Sequence, residues 1–326
     1  MATPQSITRT NNTNPSLTPT LRSAKITPLI ASLSLLVTLL PLPASAILTF
    51  TTIDDPLGVN GTVVDGVQGN QLAGYYMDSS NVQHGFLYNG TTFTTLDDPL
   101  ATSTGGTYVR TLAQGLALGA YTPADGLKHG MIYNAGTYST FDNPAGTKGQ
   151  ALSGASGIQY IGNYSDSAGY HGYLYNGSSF SEIADPISPN QTAIDGINGS
   201  TIVGYYLHSG VNHGFIYNGS TYTTVDNPLA VKDDLFTALS GNHIVGTYED
   251  AGSLYHGYLY DGTTFTPVDD PLGIGGTTPY GVDGNTVVGK YTDANGVIHG
   301  FVTVVPEPAI AAWAILALAG GRRKRV

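Results

Sequence analysis

From Thr49 onward the chain alternates short apolar runs with small polar breaks. One stretch shows the pattern. Thr62-Val63-Val64-Asp65-Gly66-Val67, Gln71-Leu72-Ala73-Gly74-Tyr75-Tyr76, His84-Gly85-Phe86-Leu87-Tyr88 and Thr91 to Leu96 are rich in Val, Tyr, Phe and Thr. They are separated by Gly69-Asn70, Asp78-Ser79-Ser80-Asn81 and Asn89-Gly90. β-Branched and aromatic runs bounded by Gly and Asn predict four strands joined by hairpins and a polar loop.

The pattern returns. A His-Gly-aromatic step, once His-Gly-Met, stands at His84, His129, His171, His213, His256 and His299, with gaps of 45, 42, 42, 43 and 43 residues. An Asp/Asn-Pro step stands at Pro56, Pro99, Pro144, Pro186, Pro228 and Pro271. Six repeats of about 43 residues with four strands each predict an all-β, six-bladed β-propeller.

The two marks are out of phase. The first proline precedes the first histidine, and no proline strand follows His299. The segment Thr49-Phe50-Thr51-Thr52-Ile53-Asp54-Asp55-Pro56 matches Thr92 to Pro99. It is a fourth strand without its blade, and the last blade has three strands without a fourth. Pairing them removes two open sheet edges, so residues 49–56 are expected to close the ring. The competing arrangement is an open superhelical array.

Local signals refine this. Asn89-Gly90, Asn176-Gly177, Asn218-Gly219 and Asp261-Gly262 predict two-residue type I′ turns. Asn134-Ala135-Gly136 carries an insertion and predicts a three-residue loop. Gly74, Gly119, Gly162, Gly204, Gly246 and Gly289 recur inside the second strand, where tight packing between blades explains them.

The ends have another character. Arg9, Arg22 and Lys25, the apolar run Ile26 to Leu42, and Ala44-Ser45-Ala46 read as a helical signal segment over 1–46, cleaved by Ala44 and Ala46. An uncleaved anchor is the competing reading. The protein is thus expected to be exported, with a propeller over 47–305 and a tail over 306–326. The central part holds 22 of the 23 acids and five of the 12 bases, a formal −17. Its bases are Arg110, Lys128, Lys148, Lys232 and Lys290. That charge argues against nucleic-acid binding and against an anionic membrane surface. There is no cysteine, so no disulfide contributes.

The repeat unit, Gly-x-Tyr followed by Gly-x-x-His-Gly-Phe-Leu-Tyr-Asn-Gly-x-x-Phe, resembles the HAF-type extracellular repeats of bacteria over about 49–304. Glycine stands here where that family has alanine. The end of the chain is similar to a PEP-CTERM sorting signal: Pro306-Glu307-Pro308, apolar residues from Ala309 to Gly321, then Arg322, Arg323, Lys324 and Arg325. This resemblance implies an exosortase-type processing enzyme as partner, and release or attachment at the surface of a Gram-negative bacterium that makes exopolysaccharide. The apolar run would form a helix of about 20 Å against a bilayer core of about 30 Å, which suits a transient anchor. The basic end would keep that tail cytoplasmic.

Candidate chemistry is sparse. The six repeat histidines are read as structural, each bonded to a carboxylate or carbonyl, with an Asp of the proline step as partner. A metal in the channel would need six ligands too widely spaced. His208 and His243 fall outside the pattern and are expected to face solvent. Asp78, Asp125, Asp166, Asp250 and Asp293 are read as turn residues, with weak calcium binding as the alternative. Tyr75, Tyr88, Tyr175, Tyr217 and Tyr260 are read as packing residues, though repeated tyrosines also suit sugar stacking. The only tryptophan, Trp313, sits in the tail. No catalytic motif appears, and the Asp-Asp-Pro pairs repeat as scaffold residues do. Arg110, Lys128, Lys232 and Glu249 break the repeat. Together these point to a non-enzymatic surface or matrix protein without cofactor, binding a polysaccharide or a surface protein. The alternatives are an extracellular polysaccharide hydrolase or lyase and a calcium-stabilised adhesin.

Overall fold

The computed structural model describes residues 48–306. The signal segment with Ala44 and Ala46, the sorting residues Glu307 and Pro308, and the basic end at Arg322, Arg323, Lys324 and Arg325 lie outside the described residues.

The described chain forms six four-stranded antiparallel sheets, the blades of a propeller. Strand β1 (Phe50–Ile53) comes first. Blade 1 is β2 (Thr62–Gln68), β3 (Gln71–Met77), β4 (Gln83–Tyr88) and β5 (Phe93–Leu96). Blade 2 is β6 (Thr107–Ala113), β7 (Leu116–Tyr121), β8 (His129–Asn134) and β9 (Thr137–Thr140). Blade 3 is β10 (Gln150–Ser156), β11 (Gln159–Ser165), β12 (Tyr170–Tyr175) and β13 (Phe180–Ile183). Blade 4 is β14 (Thr192–Asn198), β15 (Thr201–His208), β16 (Val211–Tyr217) and β17 (Tyr222–Thr224). Blade 5 is β18 (Asp234–Ser240), β19 (His243–Glu249), β20 (Tyr255–Tyr260) and β21 (Phe265–Pro267). Blade 6 is β22 (Thr277–Asp283), β23 (Thr286–Thr292) and β24 (Ile298–Val304), completed by β1.

The ring closes as the repeat phase requires. Phe50 pairs with Thr303 and Ile53 with Gly300. The closing strand is shorter than 49–56, because Asp54 to Pro56 already belong to the crossover turn. Thr303 Oγ1 donates to the carbonyl of Thr49 at 2.9 Å. The chain therefore enters and leaves the ring at the end of blade 6 where the other blades have their β4–β5 type hairpin.

The cores lie between successive blades. Leu96 of blade 1 packs with Val109, Leu112 and Met131 of blade 2. Ile183 of blade 3 packs with Ile194, Ile202 and Phe215 of blade 4. Phe86, Phe215 and Phe301 of the His-Gly-Phe step and Phe236 of the inner strand β18 are wholly buried.

Three local expectations change. The Asn-Gly steps are not two-residue type I′ turns. Tyr88 pairs with Phe93, leaving four loop residues, and only Gly90 has a positive φ. The Asn89 side chain accepts from the amides of Thr91 and Thr92, an Asx turn that competes with the hairpin geometry. Conversely the three-residue loop is absent. Asn134 pairs with Thr137, and Ala135 and Gly136 carry the positive φ values of a type I′ turn. The strand glycines answer to their own blade. A Cβ on Gly74 would lie 1.9 Å from the carbonyl oxygen of Val63, and one on Gly119 2.1 Å from that of Tyr108.

Those close approaches come from a bulge. Every innermost strand shifts register at one place: between Val64 and Gly66, Val109 and Thr111, Leu152 and Gly154, Ile194 and Gly196, Phe236 and Ala238, and Pro279 and Gly281. The extra residue leaves the ladder, and a bulge re-aims its side chain. The small residue after it is where blades touch: a Cβ on Gly196 would lie 2.7 Å from the amide of Leu239 in blade 5.

Candidate functional site

The repeated polar residues build scaffold. Each repeat histidine stacks on the last tyrosine of the second-strand motif, as His84 does on Tyr76 at 5.0 Å and His299 on Tyr291 at 5.0 Å. Nδ1 donates to a carboxylate of the proline step: His84 to Asp97, His129 to Asp142, His213 to Asp226, His256 to Asp269 and His299 to Asp54, all within 3.0 Å. Blade 3 has Ala184 where the others have that aspartate, and Glu182 of β13 takes its place at 2.8 Å from His171. Nε2 faces the loop acid in five blades, from 3.1 Å for His129–Asp125 to 3.8 Å for His299–Asp293.

The loop acids are also turn caps: Asp78 accepts from the amides of Ser80 and Val82, and Asp293 from those of Asn295 and Val297. Among the described residues no group of three or more metal-ligating side chains gathers to hold an ion. The acids of the proline step diverge. Asp54 goes to His299, while Asp55 caps the turn at Leu57.

The axis varies from blade to blade. The six bulged residues are Asp65, Arg110, Ser153, Asp195, Thr237 and Tyr280, and all six line a cavity of about 10 Å³ at the waist of the ring. That is room for about one water. Towards the hairpin end it widens to about 80 Å³ between the inner strands.

Charge sits here in unequal partnerships. Arg110 donates to Asp195 at 2.6 Å, and Asp195 is buried. Burial raises the Asp195 carboxyl against the pull of Arg110. Asn163 ties Ser153 to the backbone of Ile194, and Thr237 donates to the carbonyl of Pro279. Asp65 is only 5% exposed and has no hydrogen-bond or ion-pair partner among the described residues. Burial pushes its carboxyl up to about 7, against the pull of Arg110 and Lys290.

At the loop end, tyrosines surround the waist. Tyr75 meets Tyr108 edge to face at 6.3 Å. Burial raises the Tyr75 phenol, and the nearby Asp65 and Tyr280 raise it further. The Tyr108 phenol is pushed up to about 12, chiefly by burial. Tyr170 stays 41% exposed. Lys128 Nζ lies 4.9 Å from the Tyr108 ring centre and Lys290 Nζ 5.7 Å from that of Tyr280, within cation–π range.

Of the four residues singled out as breaking the repeat, Arg110 and Lys128 reach the axis. Lys232 and Glu249 instead pair with each other at 2.9 Å. Tyr88, Tyr175, Tyr217 and Tyr260 pack against Phe93, Phe180, Tyr222 and Phe265 in their own blades. Tyr75 departs from that reading and belongs to the axial group. His208 is exposed, but His243 is half-buried and donates to the carbonyl of Gly284 in blade 6. In the sequence neither Asp65, Asp195 nor Tyr280 stands out, and Lys290 counts only among the bases. Comparing the repeats with each other finds them. Four positions per blade vary freely, and they are the bulge, the residue two before it, the residue after the strand glycine, and the residue before the histidine.

No family model matches the chain, and no curated protein matches it in sequence. Solved structures do resemble it. A triple-arginine mutant of AofleA from Arthrobotrys oligospora aligns at 13% identity and TM-score 0.51, over 78% of this chain and 86% of its own. The Aleuria aurantia lectin in complex with Fucalpha1-6GlcNAc aligns at 12% and 0.48, over 79% and 99%. TolB from Acinetobacter baumannii aligns at 14% and 0.49, over 73% of this chain and 65% of TolB, so the chain spans under two thirds of that protein. Identities this low speak to the fold alone. The chain is a six-bladed β-propeller of four-stranded sheets.

Proposed function

We propose that this is an exported, non-enzymatic binding protein of the bacterial surface or matrix, and that it engages a polysaccharide at the loop end of its axis. The observation that carries this reading is the division of labour within the repeat. Residues that recur in every blade form cores, caps and histidine clamps, whereas the varied ones converge on the axis as tyrosines, lysines and carboxylates. Phenol rings beside fixed polar groups suit a sugar, with its apolar C–H face and its hydroxyls.

Hydrolase or lyase action fits less well. Burial raises the Asp65 carboxyl to about 7, but a waist of about 10 Å³ admits no glycosidic bond to it. Among the described residues no serine or threonine hydroxyl bonds to a histidine ring. If the tail acts as a sorting signal for an exosortase-type enzyme, its position after Val305 would turn the hairpin end of the ring to the membrane. The tyrosine-lined end would then face outward.

The test is to mix the full-length protein with the producing bacterium's exopolysaccharide, with and without calcium. Co-sedimentation with unchanged polymer length supports the binding role. Shortened polymer supports the enzyme instead. Sedimentation or melting that depends on calcium supports the adhesin.

A further inference from the structure

The five bases of 47–305 are not evenly spread. Three of them, Arg110, Lys128 and Lys290, come to one end of the axis of a disc that carries 22 acids. Arg110 is engaged by Asp195. Among the described residues neither lysine has a carboxylate within salt-bridge distance, unlike Lys232 with its Glu249, although Lys290 is near enough to act on the charge of Asp65.

Their placement follows from three consecutive blades. Lys290 of blade 6 lies over Tyr280, which neighbours Tyr75 of blade 1; Tyr75 meets Tyr108 of blade 2, over which Lys128 lies. The result is an arc that starts and ends in an ammonium group, with three phenol rings between. At its centre Asp65, more than nine-tenths buried and without a partner, lines the waist cavity. Its oxygens are not sealed in the core but open onto that cavity, where a group from outside can hydrogen-bond to them.

Resting on the proposed polysaccharide role, we propose that this arc binds a carboxylate-bearing oligosaccharide, a stretch of uronic acid residues. One sugar carboxylate sits at Lys128 and another at Lys290, the sugar faces lie along Tyr108, Tyr75 and Tyr280, and a ligand hydroxyl meets Asp65. The waist is too small for a sugar ring, so the chain lies across the mouth. Two isolated lysines favour a ligand with spaced single charges. A nucleic acid, with continuous rows of phosphate, needs a broad basic surface, and the acids elsewhere on the disc repel it. The same acids confine a uronate chain to the arc, and at physiological salt their reach is about 8 Å.

The test uses full-length protein in mild detergent and isothermal titration with tetragalacturonate, tetramannuronate and their carboxyl-reduced forms. The expected result is binding of at least one acidic tetramer, at least tenfold weaker binding of its reduced form, and at least tenfold weaker acid binding by Lys128→Ala/Lys290→Ala. That variant should melt within about 2 °C of the parent, and Lys128→Arg/Lys290→Arg should recover most of the affinity. Equal binding of acidic and reduced tetramers, or no effect of the alanine pair, overturns the uronate assignment and leaves the polysaccharide reading standing. Failure of both acidic tetramers to bind while the producer's exopolysaccharide still co-sediments does the same. Failure of all of these sinks both.

Discussion

Nδ1 of His299 donates to the carboxylate of Asp54 at 2.8 Å, and the two residues stand 245 apart in the chain. In blade 1 the same bond joins His84 to Asp97, 13 residues apart. One repeated contact thus serves as a clamp within four blades and as the seal of the ring in the sixth, with Glu182 standing in for the aspartate in blade 3.

Removing the seal separates its two roles. Asp54→Ala and Asp97→Ala each lose one half-exposed hydrogen bond, about 1 kcal/mol. Only Asp54→Ala should loosen β1, so hydrogen exchange of the β24 amides should quicken in that variant and stay slow in Asp97→Ala. Equal exchange in both would show that the clamp has no part in closure.

Blade 3 offers a rescue experiment. Glu182 stands where four other blades have a threonine that bonds the stacked tyrosine, such as Thr95 with Tyr76, and blade 5 has Pro267. It serves His171 because Ala184 cannot. Glu182→Thr restores the repeat at that position and leaves the buried His171 ring without its Nδ1 acceptor, at a cost of about 2 kcal/mol. Adding Ala184→Asp should return most of the loss in urea unfolding. A neutral Glu182→Thr, or a double variant no better than the single, would refute the substitution logic.

Stability should fall as pH rises from about 5 to 8. Asp65 and Asp234 are each pushed to about 7 by burial, above the ordinary 3.8, so they bind protons more tightly folded than unfolded. Their contribution is present below about 4 and lost as pH climbs through 7. Burial opposes charge on His129 and His256, but the hydrogen bonds and charges of their flanking aspartates outweigh it and raise both above 6.5. That contribution too is present below 6.5 and lost above. The loop acids run the other way. Backbone amides hold Asp78, Asp125, Asp166, Asp250 and Asp293 below 3.8, so their share disappears only in stronger acid. Calorimetry should give a higher Tm at pH 5 than at pH 8, and Asp65→Asn should narrow the gap. A Tm that rises with pH contradicts the assignment of Asp65 as a buried, proton-binding group.

The fold was readable because it is periodic: the His-Gly and Asp-Pro marks set blade number and closure together. What the repeat could not show was the bulge, since a register shift leaves no residue type of its own. Gly74 reads as a packing glycine, yet it is the bulge of β2 that drives the Val63 carbonyl into its Cβ position. In urea unfolding Gly74→Ala should cost about 3 kcal/mol, against about 1 kcal/mol for Gly69→Ala, which carries only the penalty of its positive φ and meets no atom within 4 Å. The axial site was half visible. Arg110 and Lys128 stood out as rare bases, whereas Asp65 reads only as one residue of a predicted strand, and a single acid in such a run does not show that it faces the axis.

The central claim is that varied positions bind and repeated ones build. Among 22 tyrosines, the axial and packing sets can be told apart by ring-labelled NMR with single Tyr→Phe assignments. On titration with the acidic tetramer, the signals of Tyr75, Tyr108 and Tyr280 should shift together while those of Tyr88, Tyr175, Tyr217 and Tyr260 stay still. Shifts confined to the second group would place the ligand on the scaffold and contradict the account.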